Sequence, residues 1–152
     1  MIGLVALAIL SASDSVEPGS IISAPLVGVR VDADGPAFLL DLPWSNRLVS
    51  DRASPLRPTH LVPELTVGLG KRVTFELRAS LRWLVPLRPW LSLGPTLGMG
   101  ATVSDAGRPM LTLGVLARLG SGPFAFGLIA GRVDVRVDGT LAWSALVGGT
   151  YW

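Results

Sequence analysis

The side chains best equipped for acid–base or nucleophilic chemistry gather around the only histidine, His60, which has Thr59, Ser54, Asp51 and Glu64 close by in sequence. A serine activated by histidine, itself oriented by a carboxylate, would make a hydrolase or acyltransferase. That chemistry also needs a strained nucleophile turn and an oxyanion-hole motif, and neither accompanies these residues. The simpler reading of His60 is a loop residue at the start of a strand, and the expectation is that the chain is not an enzyme. A lone histidine also argues against a bound metal, and Asp32, Asp34 and Asp41 read as turn and solvent residues in and after a turn. There is no cysteine, which removes thiol catalysis, Cys-ligated zinc and disulfide scaffolds. No cofactor is expected. Gly94, Gly98, Gly100 and Gly114 fall at alternate positions within strands, where they make room for Arg and Trp side chains in a narrow interior, and no phosphate-cradling loop is needed to explain them.

Charge of a different kind sits at Glu64, Glu76, Arg78, Arg82 and Arg118. These could line a conductive path, but an eight-stranded barrel is about filled by its own side chains, so a structural ion-pair network across the interior is favoured. Basic residues such as Arg30, Arg78, Arg82 and Arg118 stand singly at alternating strand positions, with Lys71 the sole lysine and a formal net charge of only +2. Nucleic-acid binding is therefore not expected, because it needs clustered basic and stacking aromatic side chains.

The elements that must carry these residues are strands. Between Val73 and Val85, one face holds Val73, Phe75, Leu77, Ala79, Leu81, Trp83 and Val85, and the other holds Thr74, Glu76, Arg78, Ser80 and Arg82. The same period of two recurs over 91–103 and 111–119, and more weakly over 24–32, 37–44, 61–69, 124–137 and 140–152. That makes eight strands, separated by turns such as Asp32-Ala33-Asp34-Gly35 and Gly70-Lys71-Arg72. The fold class is all-β, a closed antiparallel up-and-down barrel. At 152 residues the chain has room for one such unit.

Apolar residues make up 49 % and charged residues 16 %, against roughly 25 % charged in soluble domains. Mean hydropathy is +0.53. After the first ten residues no apolar run approaches the ~20 residues of a membrane helix, so contact with lipid would be made by strands. The polar face is mostly Gly, Ser and Thr with a few opposite charges, which suits a crowded interior, whereas the apolar face carries no charge in three successive strands. An arginine or lysine at a bilayer midplane costs roughly 2–4 kcal/mol, so that face is assigned to membrane lipid. Phe75 and Trp83 lie eight residues apart on it, as do Trp143 and Tyr151. Eight tilted residues span about 20 Å, the separation of two interfacial aromatic girdles, and Trp152 joins the second.

A two-residue type I′ loop at Asp138-Gly139 would pair Val137 with Thr140. That register places Phe124, Phe126, Leu128 and Ala130 on the outer face with Val147 and Tyr151. Arg132, Asp134 and Arg136 then continue outward, and Arg132 has to snorkel.

Residues 1–13 read as a signal peptide, with the apolar run MIGLVALAIL followed by Ser11-Ala12-Ser13, and residues 14–152 form the barrel domain. The longest connection, 45–59, is polar and falls at the rim that carries the chain ends.

Over nearly its whole mature length the chain resembles the small outer-membrane barrels of Gram-negative bacteria, of the OmpA transmembrane type. Architecture and the amphipathic last strand from Leu141 to Tyr151 and Trp152 carry the resemblance. It implies a bacterial outer-membrane location and recognition of that strand by the barrel-assembly machinery. The implied role is structural or anchoring in the envelope, or conduction of small solutes. A lipid-modifying enzyme and a soluble lipocalin-like barrel are the alternatives. The soluble barrel would need Phe75, Leu77, Leu81 and Trp83 to point inward.

Overall fold

The computed structural model describes residues 25–44, 46–47, 59–104, 107–120 and 124–151, with the side chains of 46–47, 124–126 and 150–151 outside the description. The proposed leader and most of the 45–59 connection therefore lie outside the described residues.

Every described element is a strand: β1 Leu26–Asp32, β2 Gly35–Pro43, β3 Asn46–Arg47, β4 Thr59–Leu69, β5 Val73–Trp83, β6 Val85–Arg88, β7 Leu91–Thr102, β8 Arg108–Leu119, β9 Phe124–Arg136 and β10 Leu141–Tyr151. All pairings are antiparallel: β1 with β2, β2 with β4, β4 with β5, β5 with β7, β7 to β10 in chain order, and β10 back to β1. The result is a closed eight-stranded barrel with no free sheet edge among its staves. The two short strands add to staves already present. β3 follows the register of β2 along β4, after Trp44 N–H donates to the Pro63 carbonyl at 2.9 Å. β6 carries β5 onward along β7 past Leu84.

The eight staves match the eight alternating segments of the sequence. Because the pleat sends successive side chains to opposite faces, even-numbered residues point into the lumen on β1, β4, β5, β7, β8, β9 and β10. On β2 the odd ones do, because Asp32 pairs directly with Gly35.

The last hairpin departs from the sequence reading. The loop is three residues long, not two: Arg136 N–H donates to the Thr140 carbonyl at 3.0 Å, and Gly139 N–H donates to the Arg136 carbonyl at 2.9 Å. Gly139 adopts φ +80°, the left-handed residue that closes a type I turn with a bulge. The Asp138 carboxylate accepts from the N–H and hydroxyl of Thr140 at 2.9 and 2.6 Å, which holds it below the ordinary aspartate range. Even residues of β9 therefore face with even residues of β10, as in the pairs Asp134↔Ala142, Arg132↔Ser144 and Ala130↔Leu146. Leu128, Ala130, Arg132 and Asp134 are buried in the lumen, and Ile129 is the outward residue. One extra loop residue reverses the facing expected for the whole strand, and Arg132 has no need to snorkel. Phe124, Phe126 and Tyr151, placed outward in the same reading, have side chains outside the description.

At Gly139 an L-residue would have to adopt the left-handed region. Gly139→Ala is expected to lower unfolding stability by about 1–2 kcal/mol, read from the urea midpoint, and Gly139→Asn by less.

Turns at 33–34, 70–72 and 137–140, with the described ends of a fourth at 103–104 and 107, form one rim of the barrel. The other rim carries Pro25, Trp44, the start of β4, the 89–90 turn, Gly120 and the end of β10. Pro43 and Thr59, which flank the long connection, lie at this second rim, the one to which the sequence reading assigned it.

Candidate functional site

Burial in this molecule is inverted relative to a water-soluble domain. Among the described residues, sixteen polar or charged residues are buried against ten apolar ones, and twenty-six large apolar residues are exposed. Soluble folds do the reverse. Two surfaces follow from this, a charged lumen and an apolar exterior.

The lumen is organised by arginine. Arg78, with a side chain fully covered, reaches Asp134 at 3.0 Å, Glu76 at 3.2 Å and Glu64 at 3.7 Å. Arg132 bridges Glu64 at 2.9 Å and Asp41 at 3.2 Å, and Arg82 meets the other Glu64 oxygen at 2.6 Å. Arg30 pairs with Glu76 and, at 3.4 Å, with Asp32, which also takes Arg136 at 2.9 Å. These contacts join five arginines (30, 78, 82, 132, 136) and five carboxylates (Asp32, Asp41, Glu64, Glu76, Asp134) into one chain whose formal charges cancel. Two hydroxyls complete it. Thr66 donates to Asp41 at 2.6 Å and accepts from Arg78 and Arg132 at 3.4 Å, and Thr112 donates to Asp134 at 2.5 Å. A buried charge is tolerated only when paired and hydrogen-bonded, and here each guanidinium touches at least one carboxylate.

Of the five charges singled out in the sequence, Glu64, Glu76, Arg78 and Arg82 meet in this network. Arg118 lies toward the opposite end of β8, paired in register with Ser92 and Leu128. Sequence reasoning missed Arg30, Asp32, Asp41, Arg132, Asp134 and Arg136. Asp32 and Asp41 had been read as turn and solvent residues, yet Asp41 is 0 % exposed and the Asp32 side chain is nearly covered. Asp34 alone of the three is a turn residue, its N–H donating to Asp32 at 2.9 Å. A consistent count of strand parity from Asp32 across its turn to Asp41 was the available signal.

The interior glycines make room for the neighbouring strands, the Leu77 carbonyl oxygen standing closest at Gly100 and the Gly131 carbonyl oxygen at Gly114. A Cβ at Gly100 would press on the Arg78 backbone and Cβ, and one at Gly114 on Arg132 Cβ. They do not accommodate tryptophan, because Trp44, Trp83, Trp90 and Trp143 are all exposed. A cluster of Leu26, Leu39, Leu84, Leu116, Leu128, Ala130 and Leu146 fills lumen space that the charges leave. His60 is buried on the lumen face opposite Arg82. Ser54 and Asp51 lie outside the described residues, and Glu64 is held by arginines. Among the described residues no group of three or more His, Asp or Glu could hold a metal ion.

The exterior is apolar from rim to rim. Outward positions on the staves read Val27, Val29 and Val31 on β1, Leu65 and Val67 on β4, Leu77 and Leu81 on β5, Leu93 and Leu97 on β7, and Leu111, Leu113 and Val115 on β8. Between the rims no described outward strand position carries a charge, and exposed Arg88, paired with Leu91 at the end of β6, stands at the rim itself. Phe75, Leu77, Leu81 and Trp83 all point outward, opposite to what a soluble ligand-binding barrel needs. Phe38, Phe75 and Trp143 are exposed near the four-turn rim, and Trp44, Trp83 and Trp90 are exposed at the other. Tyr151, as a side chain, and Trp152 lie outside the described residues.

No protein-family model matches the chain, and no curated protein matches it. Among solved structures it is similar to a barrel reported under "De novo design of transmembrane beta-barrels", with a TM-score of 0.52 at 11 % identity, covering 89 % of this chain and 98 % of that one. The similarity is one of fold.

Proposed function

We propose that this chain is an integral membrane barrel of the bacterial outer membrane, with a structural or anchoring role in the envelope. The observation that carries the reading is the exterior: a continuous charge-free apolar band with aromatic side chains exposed near both rims, wrapped around a polar interior. The solved barrel of similar fold is reported as a designed transmembrane one, which supports a membrane location.

An anchor is favoured over a small-solute conduit by the lumen, where ten charged groups and an apolar cluster occupy the space a solute would need. No catalytic role is assigned to His60. As in the Gram-negative OmpA-type barrels that the chain resembles, the β10 strand would be the segment read by the barrel-assembly machinery, with membrane lipid the remaining partner.

The test is to fold the chain into detergent and compare the gel mobility of unboiled and boiled samples, then to record planar-bilayer conductance. A mobility shift that requires detergent or lipid is expected, with no steady conductance. Solubility without detergent and no shift would overturn the membrane reading, and stepwise conductance would replace the anchor with a conduit.

A further inference from the structure

Where the lumen opens at the four-turn rim there is a cavity of about 140 Å³. Its cations come from separate segments of chain: Arg30 on β1, Lys71 and Arg72 in the 70–72 turn, Arg108 at the start of β8 and Arg136 at the end of β9. The carboxylates in its lining are Asp32 and Asp34.

These charges divide into two sets. Arg30, Arg136 and Asp32 belong to the neutral network, because Asp32 is shared between the two arginines and Arg30 also takes Glu76. That leaves Lys71, Arg72 and Arg108 against Asp34. Among the described residues Lys71 and Arg72 form no ion pair, and Arg108 makes only a 3.6 Å contact to Asp138 in which both side chains are about half exposed. An exposed pair at that distance contributes little and yields readily to a better anion. Thr74 and Thr102 place neutral hydroxyls in the same lining.

We infer that this mouth binds a phosphate-class oxyanion, either free or carried as a phosphate monoester on a larger molecule. A tetrahedral anion presents oxygens in several directions at once, which matches cationic donors arriving from the 70–72 turn and from β8 with hydroxyls beside them. The network beneath fixes the floor, since Arg30 is held by Glu76 and by Thr74 at 3.1 Å. The site uses the lumen mouth and not the apolar exterior, so it stands independently of the membrane assignment.

The experiment uses the full chain folded in zwitterionic detergent at low salt. One arm titrates inorganic phosphate by calorimetry, and the other measures retention of phosphatidic acid in mixed micelles. Both are repeated with the double variant Lys71→Ala/Arg72→Ala, with Arg108→Gln, and with Arg88→Gln at the opposite rim as a control. None of these residues belongs to the ten-group network, and retained heat-modified mobility confirms that each variant folds. Saturable phosphate binding is expected, weakened about tenfold or more by the double variant and by Arg108→Gln, unchanged by Arg88→Gln, and lost as salt rises. Binding of the lipid phosphate alone, with the same dependence on these residues, assigns the anion to a headgroup. Absence of saturable binding in both arms, or binding indifferent to Lys71, Arg72 and Arg108, overturns the inference.

Discussion

Replacing Arg78 with methionine is expected to destabilise the barrel by about 3–5 kcal/mol, the cost of removing one partner from a buried charge cluster. Arg78 is the point at which Glu64, Glu76 and Asp134 converge, and its side chain is wholly covered. Methionine fills much of the volume but leaves Asp134 with only the Thr112 hydroxyl at 2.5 Å and deprives Glu76 of one of its two arginines. Chemical unfolding in detergent or lipid vesicles measures the effect. The double variant Arg78→Met/Asp134→Leu should recover part of the loss, because it removes a stranded carboxylate together with its partner. A single-variant change within about 0.5 kcal/mol, the range of ordinary surface substitutions, would mean that the network carries no weight in the fold.

The second large effect lies on the other face. Leu113 sits mid-strand on β8, 47 % exposed, between Leu97 and Val133 on its neighbours. Leu113→Arg is expected to cost about 2–4 kcal/mol when the barrel is folded into lipid vesicles, because the guanidinium enters at the middle of the apolar band. The same substitution on a surface that faced water would change stability by no more than about 0.5 kcal/mol. Val137, exposed in the loop at the rim, supplies the internal comparison. Val137→Arg should be nearly neutral, since the penalty falls toward the interface. Equal effects at the two positions would contradict the band as a lipid-facing surface.

Much of this architecture was legible in the sequence because a strand announces its two faces in consecutive residues. The 73–85 and 91–103 segments state their alternation openly, and their outward and inward sets stand in the structure as the pattern places them. What pairs with what was not legible. Arg132 meets Asp41 from 91 residues away, and no local spacing encodes that encounter. The misjudged facing of β9 has a narrower cause. Phe124, Phe126 and Leu128 lent an apolar look to the even positions, and Asp138-Gly139 suggests a two-residue loop. The hydrogen bond between Arg136 and Thr140 adds Val137 to that loop and reverses the strand. Asp32 and Asp41 were obscured for a related reason, since an aspartate next to a turn usually serves the turn.

The ion-pair chain also sets an order of events in folding. Asp32 and Arg136 are separated by 104 residues, and Asp41 and Arg132 by 91, so neither contact can form while the sheet is still open. Until β10 docks on β1, charges from the two halves of the chain remain apart, each keeping its own hydration. Docking brings β1 and β2 against β9 and neutralises them together. Closing the ring and dehydrating its centre are therefore a single step, late and cooperative, with little to gain from a half-zipped sheet.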